Sequence, residues 1–245
     1  MKLMNPWFTR YLYDVENGVE NDPKAWNVRE GDDRLEPTPY PDYPNPEAQP
    51  VNVYLSAGGT AAGGLSLSAV PDQGEETLED NVSFSGATLA RAEKTDHRLL
   101  YTTPELEEEV HLSGEATITV RMAANQPAVN LSVYLVSLPW TEGRRPRGGL
   151  VTRNWADLQN HKSLTESEPL VPGQFYEMTF KLQPDDQIVQ AGQKLGLMIF
   201  SSDRDFTLWP EPGAQLTLDL DGTSISLPVV GGQAALARAF GEETL

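Results

Sequence analysis

From Val51 onward the chain is a series of short runs in which apolar and polar residues alternate, each bounded by Gly, Pro, Asn or Asp, and this two-residue period constrains the fold more than any other feature. Successive strand side chains point to opposite faces. Ile118, Val120 and Met122 therefore share one face while Thr117, Thr119 and Arg121 share the other. The same reading places Val129, Leu131, Val133 and Leu135 on one face, Tyr176, Met178, Phe180 and Leu182 on another, and Leu216, Leu218 and Leu220 on a third. Leu195 to Phe200 is apolar on both sides, which predicts a central strand covered from above and below.

Further strands are expected at Val51–Leu55, Val82–Phe84, Leu99–Thr102, Leu150–Arg153 and Ser224–Val229. Roughly ten strands with almost no helix between them predict an all-β fold, two antiparallel sheets packed as a jelly-roll β-sandwich over residues 51–232. One short helix precedes it. Asn5 and Pro6 suit the cap and first turn, and Met4, Trp7, Phe8, Tyr11, Leu12 and Val15 recur at spacings of three and four up to a stop near Asn17-Gly18. Residues 23–50 read as a short strand near Trp26 followed by a connection with Pro37, Pro39, Pro41, Pro44, Pro46 and Pro50, where missing backbone donors forbid central pairing. Residues 233–245 read as a tail that forms a short helix or frays.

A formal net charge of -18 disfavours nucleic-acid binding, which draws affinity from clustered Lys and Arg, and the one basic run, Arg144, Arg145 and Arg147, reads as a solvated loop. With no cysteine there is neither a disulfide framework nor a thiolate nucleophile. The first residues lack the apolar core of a signal peptide, and no run is long enough to cross a bilayer as a helix. A soluble chain without membrane association is expected, cytoplasmic or secreted.

Catalytic chemistry is not legible. The nucleophile pentapeptide Gly-x-Ser-x-Gly of α/β hydrolases does not occur, and His97, His111 and His161 show no spacing for a triad or a zinc site. Asp203 with Asp205, and Asp219 with Asp221, read as turn or salt-bridge acids rather than calcium ligands. No catalytic residue, metal or cofactor is expected.

Three blocks carry a family resemblance. The first is Val151-Thr152-Arg153-Asn154-Trp155-Ala156-Asp157-Leu158-Gln159-Asn160-His161-Lys162-Ser163-Leu164. The second runs from Pro169-Leu170-Val171-Pro172-Gly173 through Leu182-Gln183-Pro184 and Ala191-Gly192-Gln193-Lys194-Leu195-Gly196-Leu197 to Ser201-Ser202-Asp203. The third is Trp7-Phe8-Thr9-Arg10-Tyr11-Leu12 with Asn17-Gly18-Val19. Together they resemble the C-terminal domain of X-prolyl dipeptidyl-peptidases, a domain shared with cocaine esterase and glutaryl-acylase relatives. The chain departs at Gly192-Gln193, where many relatives have Gly-His.

The resemblance implies a galactose-binding-like jelly roll behind an α/β-hydrolase domain holding the Ser, Asp and His. Residues 1–22 would then be a helix and linker left from the end of that hydrolase domain. It further implies a non-catalytic module that lends stability and one wall of the cleft to a serine peptidase acting on X-Pro peptides. Arg153, Trp155, Asp157 and Asp203 are its binding or interdomain candidates. Arg153 and Asp157 are expected to be tied to one another or to neighbouring backbone, with Trp155 beside them. The N-terminal helix should expose its aromatic face or hide it in a dimer contact. Alternatives are an accessory domain of a related esterase or acylase, a carbohydrate-binding module using Trp140, Trp155 or Trp209, and an independent acidic enzyme.

Overall fold

The clearly alternating runs are strands in the structure, a computed structural model that describes residues 4–29, 33, 35–140 and 149–242. The basic run at Arg144, Arg145 and Arg147 lies outside the described residues. In chain order the first elements are helix α1 (Met4–Tyr13) and strands β1 (Ala25–Asn27), β2 (Thr38–Tyr40), β3 (Ala48–Ser56), β4 (Gly63–Ser66) and β5 (Glu75–Glu79). Helix α2 (Gly86–Arg91) precedes β6 (Leu99–Thr102), β7 (Val110–Gly114), β8 (Thr117–Ala124), β9 (Asn130–Leu138) and β10 (Leu150–Asp157). Strands β11 (Tyr176–Lys181), β12 (Asp185–Val189), β13 (Lys194–Phe200) and β14 (Gln215–Val230) lead to helix α3 (Gly232–Ala239).

Among the described residues, β3 to β14 form one continuous twelve-stranded sheet folded over on itself as an all-β sandwich, while β1 and β2 pair separately. One layer runs β10-β9-β13-β6, and the other contains β11-β8-β14 with β5 and β3. The two runs Leu216–Leu220 and Ser224–Val229 belong to a single strand of 16 residues, β14. Its first half pairs with β5 and β8 and its second half with β3, β8 and β7, with a register shift between Asp219 and Ser224. The bulge is closed locally. The Gly222 amide donates to Asp219 Oδ1 at 3.1 Å, the Thr223 hydroxyl donates to the Asp219 carbonyl at 2.7 Å, and Arg121 forms an ion pair with Asp219.

The inward residues of both layers make the main core, including Val53, Leu99, Ile118, Val120, Leu131, Leu197, Leu218 and Ile225. Strand β9 departs from the half-buried expectation. Its second face is covered as well, because Tyr134 and Val136 join Leu100, Met198, Phe200, Leu89 and Ala90 in a second core beneath α2. The segment around Val82–Phe84 is accordingly a turn and not a strand. Asn81 Oδ1 accepts from the Ser83 amide at 3.0 Å, and Ser85 then caps α2 by accepting from the Thr88 amide. Arg98, fully buried, donates to the carbonyls of Leu89, Ala92 and Gly59, so it satisfies the end of α2 and ties it to the β3–β4 loop. Burial pushes its guanidinium down to about 10.

Helix α1 ends at Tyr13 rather than near Asn17, because Asp14 takes the left-handed conformation (φ 55°) and receives Arg10 at 2.9 Å. No residue of α1 is buried. At the other end the helical option is realised in α3, which sets Leu236, Ala239 and Phe240 into the main core. The proline-rich connection is fastened to the sandwich through Arg29, whose Nε donates to Asp186 Oδ1 at 2.7 Å, with His111 Nε2 3.2 Å from the same oxygen. Burial alone would raise the Asp186 carboxyl, but His111 and Arg29 outweigh it and hold the group below its ordinary value.

The β3–β4 loop is also set by a buried phenol. Tyr101 donates to Glu76 Oε2 at 2.6 Å, and Glu76 accepts from the amides of Gly58 and Gly59. A methyl group at Gly63 would overlap the Ser56 carbonyl and sit 2.6 Å from Tyr101 Cδ1, both within the β3–β4–β6 pairing. Gly63→Ala is therefore expected to lower stability by about 2–3 kcal/mol, read from the midpoint of a urea unfolding curve. An unchanged midpoint would contradict this packing.

Candidate functional site

Strand β10 places Arg153, Trp155 and Asp157 on one face by its two-residue period, and its antiparallel register sets Arg153 directly opposite Tyr134 of β9. Arg153 Nη1 donates to the Tyr134 hydroxyl at 2.9 Å. The guanidinium lies over three aromatic rings, 3.9 Å from the centroid of Phe206, 5.0 Å from Trp155 and 5.4 Å from Tyr134. Trp155 and Phe206 stack on each other with centroids 5.2 Å apart. Such contacts stabilise by about 0.5–2 kcal/mol each as desolvation increases.

Asp203 is the acid at the base of this stack. It is 1% exposed, and its Oδ2 accepts from the Tyr134 hydroxyl and from Trp155 Nε1, the latter at 2.9 Å. Its carbonyl accepts from the amides of Phe206 and Thr207 at 3.0 and 2.9 Å, so the same residue turns the chain and presents Phe206 to the arginine. Burial first, and the Asp203 carboxylate second, push the Tyr134 phenol well above its ordinary value, so the hydroxyl stays protonated and serves as donor to Asp203 and acceptor from Arg153. Gly86 lets the ring lie there, since a Cβ would stand 2.6 Å from Tyr134 Cε2. Neighbouring Ser202 donates through its amide and hydroxyl to Asp80, and Ser132 donates to the Ser201 carbonyl, so the loop base is bonded on several sides.

Three of the four residues singled out in the sequence thus meet, and the fourth does not. Asp157 accepts from the Gln159 amide at 2.9 Å and caps the short turn Leu158–Asn160, so it is tied to neighbouring backbone and not to Arg153. Tyr134 and Phe206 carry equal weight in the cluster, yet no local pattern marks them. Tyr134 sits in a run that reads as ordinary strand, and Phe206 in a loop 53 positions beyond Arg153.

Past the stack the loop turns outward, exposing Phe206 by 55%, Leu208 by 91% and Trp209 by 59%. A groove of about 550 Å³ follows the end of β10, with Trp155, Asp157, His161, Leu164 and Phe180 in its wall. Trp140 packs instead against the second core. Asp221 accepts from the amides of Gln73 and Gly74, and the Asp205 amide donates to Asp203 Oδ1 on the exposed turn. No histidine ring among the described residues bonds a hydroxyl. His97 meets Asn81 and the Glu79 carbonyl, His111 meets Asp186 and Arg29, and His161 meets the Leu158 carbonyl.

The contrast between the two acids is measurable. Asp203→Ala leaves a buried hydroxyl and an indole N–H without their acceptor and is expected to lower unfolding free energy by about 3 kcal/mol. Asp157→Ala removes one cap from a part-exposed turn and should cost about 1 kcal/mol. Equal losses for the two variants in chemical denaturation would contradict the assignment of Asp203 as the anchor.

The chain matches known proteins over most of its length. Residues 17–240 fit the family model described as the X-Pro dipeptidyl-peptidase C-terminal non-catalytic domain. A protein of Rhodopirellula baltica named "Putative Xaa-Pro dipeptidyl-peptidase" is 56% identical over 96% of this chain, and one of the same name from Bacillus anthracis is 32% identical over 94%. The chain spans only 38% and 37% of those two relatives' own lengths. Among solved structures, an aminopeptidase from a marine sediment Thaumarchaeota archaeon aligns with a TM-score of 0.69 at 14% identity, covering 93% of this chain and 43% of that one. An α-amino acid ester hydrolase aligns at 0.66 and 17%, covering 92% and 44%, which shows the shared fold. The chain belongs to the family of X-Pro dipeptidyl-peptidase C-terminal non-catalytic domains.

Proposed function

We propose that this chain is the accessory β-sandwich of a serine peptidase that removes X-Pro dipeptides from peptide N-termini, packed against an α/β-hydrolase domain of the same polypeptide and supplying stability and one wall of its substrate cleft. The observation that carries this reading is the family match over residues 17–240, taken with relatives more than twice as long as the chain. An α/β-hydrolase domain in the remaining length would hold the nucleophile, base and oxyanion donors, which must share one rigid geometry.

Helix α1 supports the same reading. Trp7, Phe8 and Tyr11 are 50%, 42% and 54% exposed, and they pack on one another rather than on the sandwich. Trp7 and Tyr11, with Pro23 and Trp26, border a hollow of about 440 Å³. A contiguous aromatic face of this kind marks an interface. In the reading proposed here residues 1–22 belong structurally to the hydrolase side and the residues from 23 connect them to the sandwich, whose first strand, β3, takes in the last three residues of the expected connection, Ala48 to Pro50. Without its neighbour the same face can pair two copies of the chain.

Two measurements follow. In steady-state kinetics with an X-Pro-anilide the full-length protein is expected to turn over and the 245-residue chain not at all. Deleting the sandwich should raise KM or lower stability, unlike loss of the serine, which should abolish turnover. Turnover by the isolated chain that one point mutation within it removes would overturn the reading. Second, the triple variant Trp7→Ala, Phe8→Ala, Tyr11→Ala should leave the unfolding free energy of the 245-residue chain within about 0.5 kcal/mol of the parent, yet lower the melting temperature of the full-length protein. A large loss in the isolated chain would place the helix in the sandwich's own core.

A further inference from the structure

The Arg153 guanidinium is held by three rings and one hydroxyl, and that leaves it with donors to give. Only Nη1 has a hydrogen-bond acceptor among the described residues, Tyr134 at 2.9 Å. No carboxylate of the described residues pairs with Arg153, because the nearest acid in the network, Asp203, stands on the far side of the Tyr134 hydroxyl. Among the described residues Nε and Nη2 meet no acceptor, and Arg153 is only half-buried. A planar fork whose orientation is fixed before a ligand arrives loses little entropy on binding and suits a carboxylate, which can accept two parallel N–H bonds.

Its surroundings narrow the ligand. The loop that supplies Phe206 exposes Leu208 and Trp209 as well, and a loop so firmly bonded at its base through Asp203, Ser202 and Asn130 presents these side chains in a set position. Phosphate-rich ligands are disfavoured by the formal net charge of -18. A single acidic side chain set in an apolar patch fits better. Arginine with tryptophan and a ring of apolar contact is also the composition of an interface hot spot. The relatives show where such a patch can come from, since more than half of their length lies outside the part this chain matches.

We propose that Arg153 receives one Asp or Glu carboxylate of the hydrolase domain of the same polypeptide, with Phe206, Leu208 and Trp209 excluding water around the pair. This rests on the accessory-domain reading for the identity of the partner. Charge and planarity are both required, so the site discriminates arginine from lysine.

The test uses backbone hydrogen exchange of segment 203–209 in the full-length protein and in the 245-residue chain. In wild type the segment should exchange at least about tenfold more slowly in the full-length protein. Arg153→Met in the full-length protein should return exchange to the rate of the isolated chain, and Arg153→Lys should recover part of the protection. If Arg153→Met disturbs folding, seen as faster exchange in strands β9 and β13, Arg153→Lys against wild type carries the comparison. Equal exchange in the full-length protein and the isolated chain, or full protection in both variants, overturns the proposal. So does a second pattern, in which protection is unchanged but Arg153→Met raises KM only for peptides with a free C-terminal carboxylate and not for their amides, since the substrate would then be the occupant. Absence of X-Pro-anilide turnover by a full-length protein that shows Arg153-dependent protection removes the peptidase reading and leaves the Arg153 contact standing.

Discussion

A folded-over sheet of this size needs one strand on which most of a layer pairs, and β14 fills that place. It pairs with β3, β5, β7 and β8, and its inward residues Leu216, Leu218, Leu220, Ile225, Leu227 and Val229 line the core along its whole length. A regular 16-residue strand could not keep both its early and its late partners, because the accumulated twist would carry its second half away from them. The bulge at Asp219–Ser224 takes up that change of direction, and Arg121, Gly222 and Thr223 satisfy the groups it would otherwise leave unpaired. Most other strands reach the core through pairing that leads back to β14.

The opposite layer has a different problem. Strands β9 and β13 are apolar on both faces, so one sandwich interface is not enough to bury them. Helix α2 supplies the second cover, and it is too short to hold itself, so Ser85 caps its start and Arg98 collects its terminal carbonyls. Burying a guanidinium is tolerable because three carbonyls replace its water. This second core also orients the site. Tyr134 is one of its members, packed edge-on against Phe200 at 5.1 Å, and its hydroxyl emerges where Asp203 and Arg153 can share it. The arginine stack is therefore rigid because an apolar layer beneath it is rigid.

What could be read from the sequence follows the same division. Periodicity reports which residues share a face, and it located β8, β11 and the first half of β14, while the doubly apolar run Leu195–Phe200 located β13. It is silent on whether the second face meets water, so β9 read as half-buried although Ser132, Tyr134 and Val136 are all covered. Nor can it show that two runs separated by Asp221-Gly222-Thr223 continue one strand. Val82–Phe84 misled because two apolar residues outweighed Asn81 and Ser85, whose side chains compete for backbone and make a turn followed by a helix start. In the site, Arg153 and Trp155 are legible together because β10 carries both. Asp203 comes from the resemblance, and Tyr134 and Phe206 come only from the tertiary register of β9 and the turn after β13.

The arrangement around Asp203 separates two tasks that a single acid could have confused. A carboxylate paired directly with Arg153 would have neutralised the guanidinium inside the chain and left nothing for a partner. Here the Tyr134 hydroxyl stands between them, so Asp203 fixes the loop and the indole while only Nη1 of Arg153 is engaged by an acceptor among the described residues. The Tyr134 proton is what makes this possible, and its site favours that proton strongly because burial and the neighbouring carboxylate both oppose ionisation. With catalysis assigned elsewhere in the family, a buried acid held apart from a guanidinium that only donates is better suited to recognition than to proton transfer, for which an acid and a base would have to meet at a reacting atom.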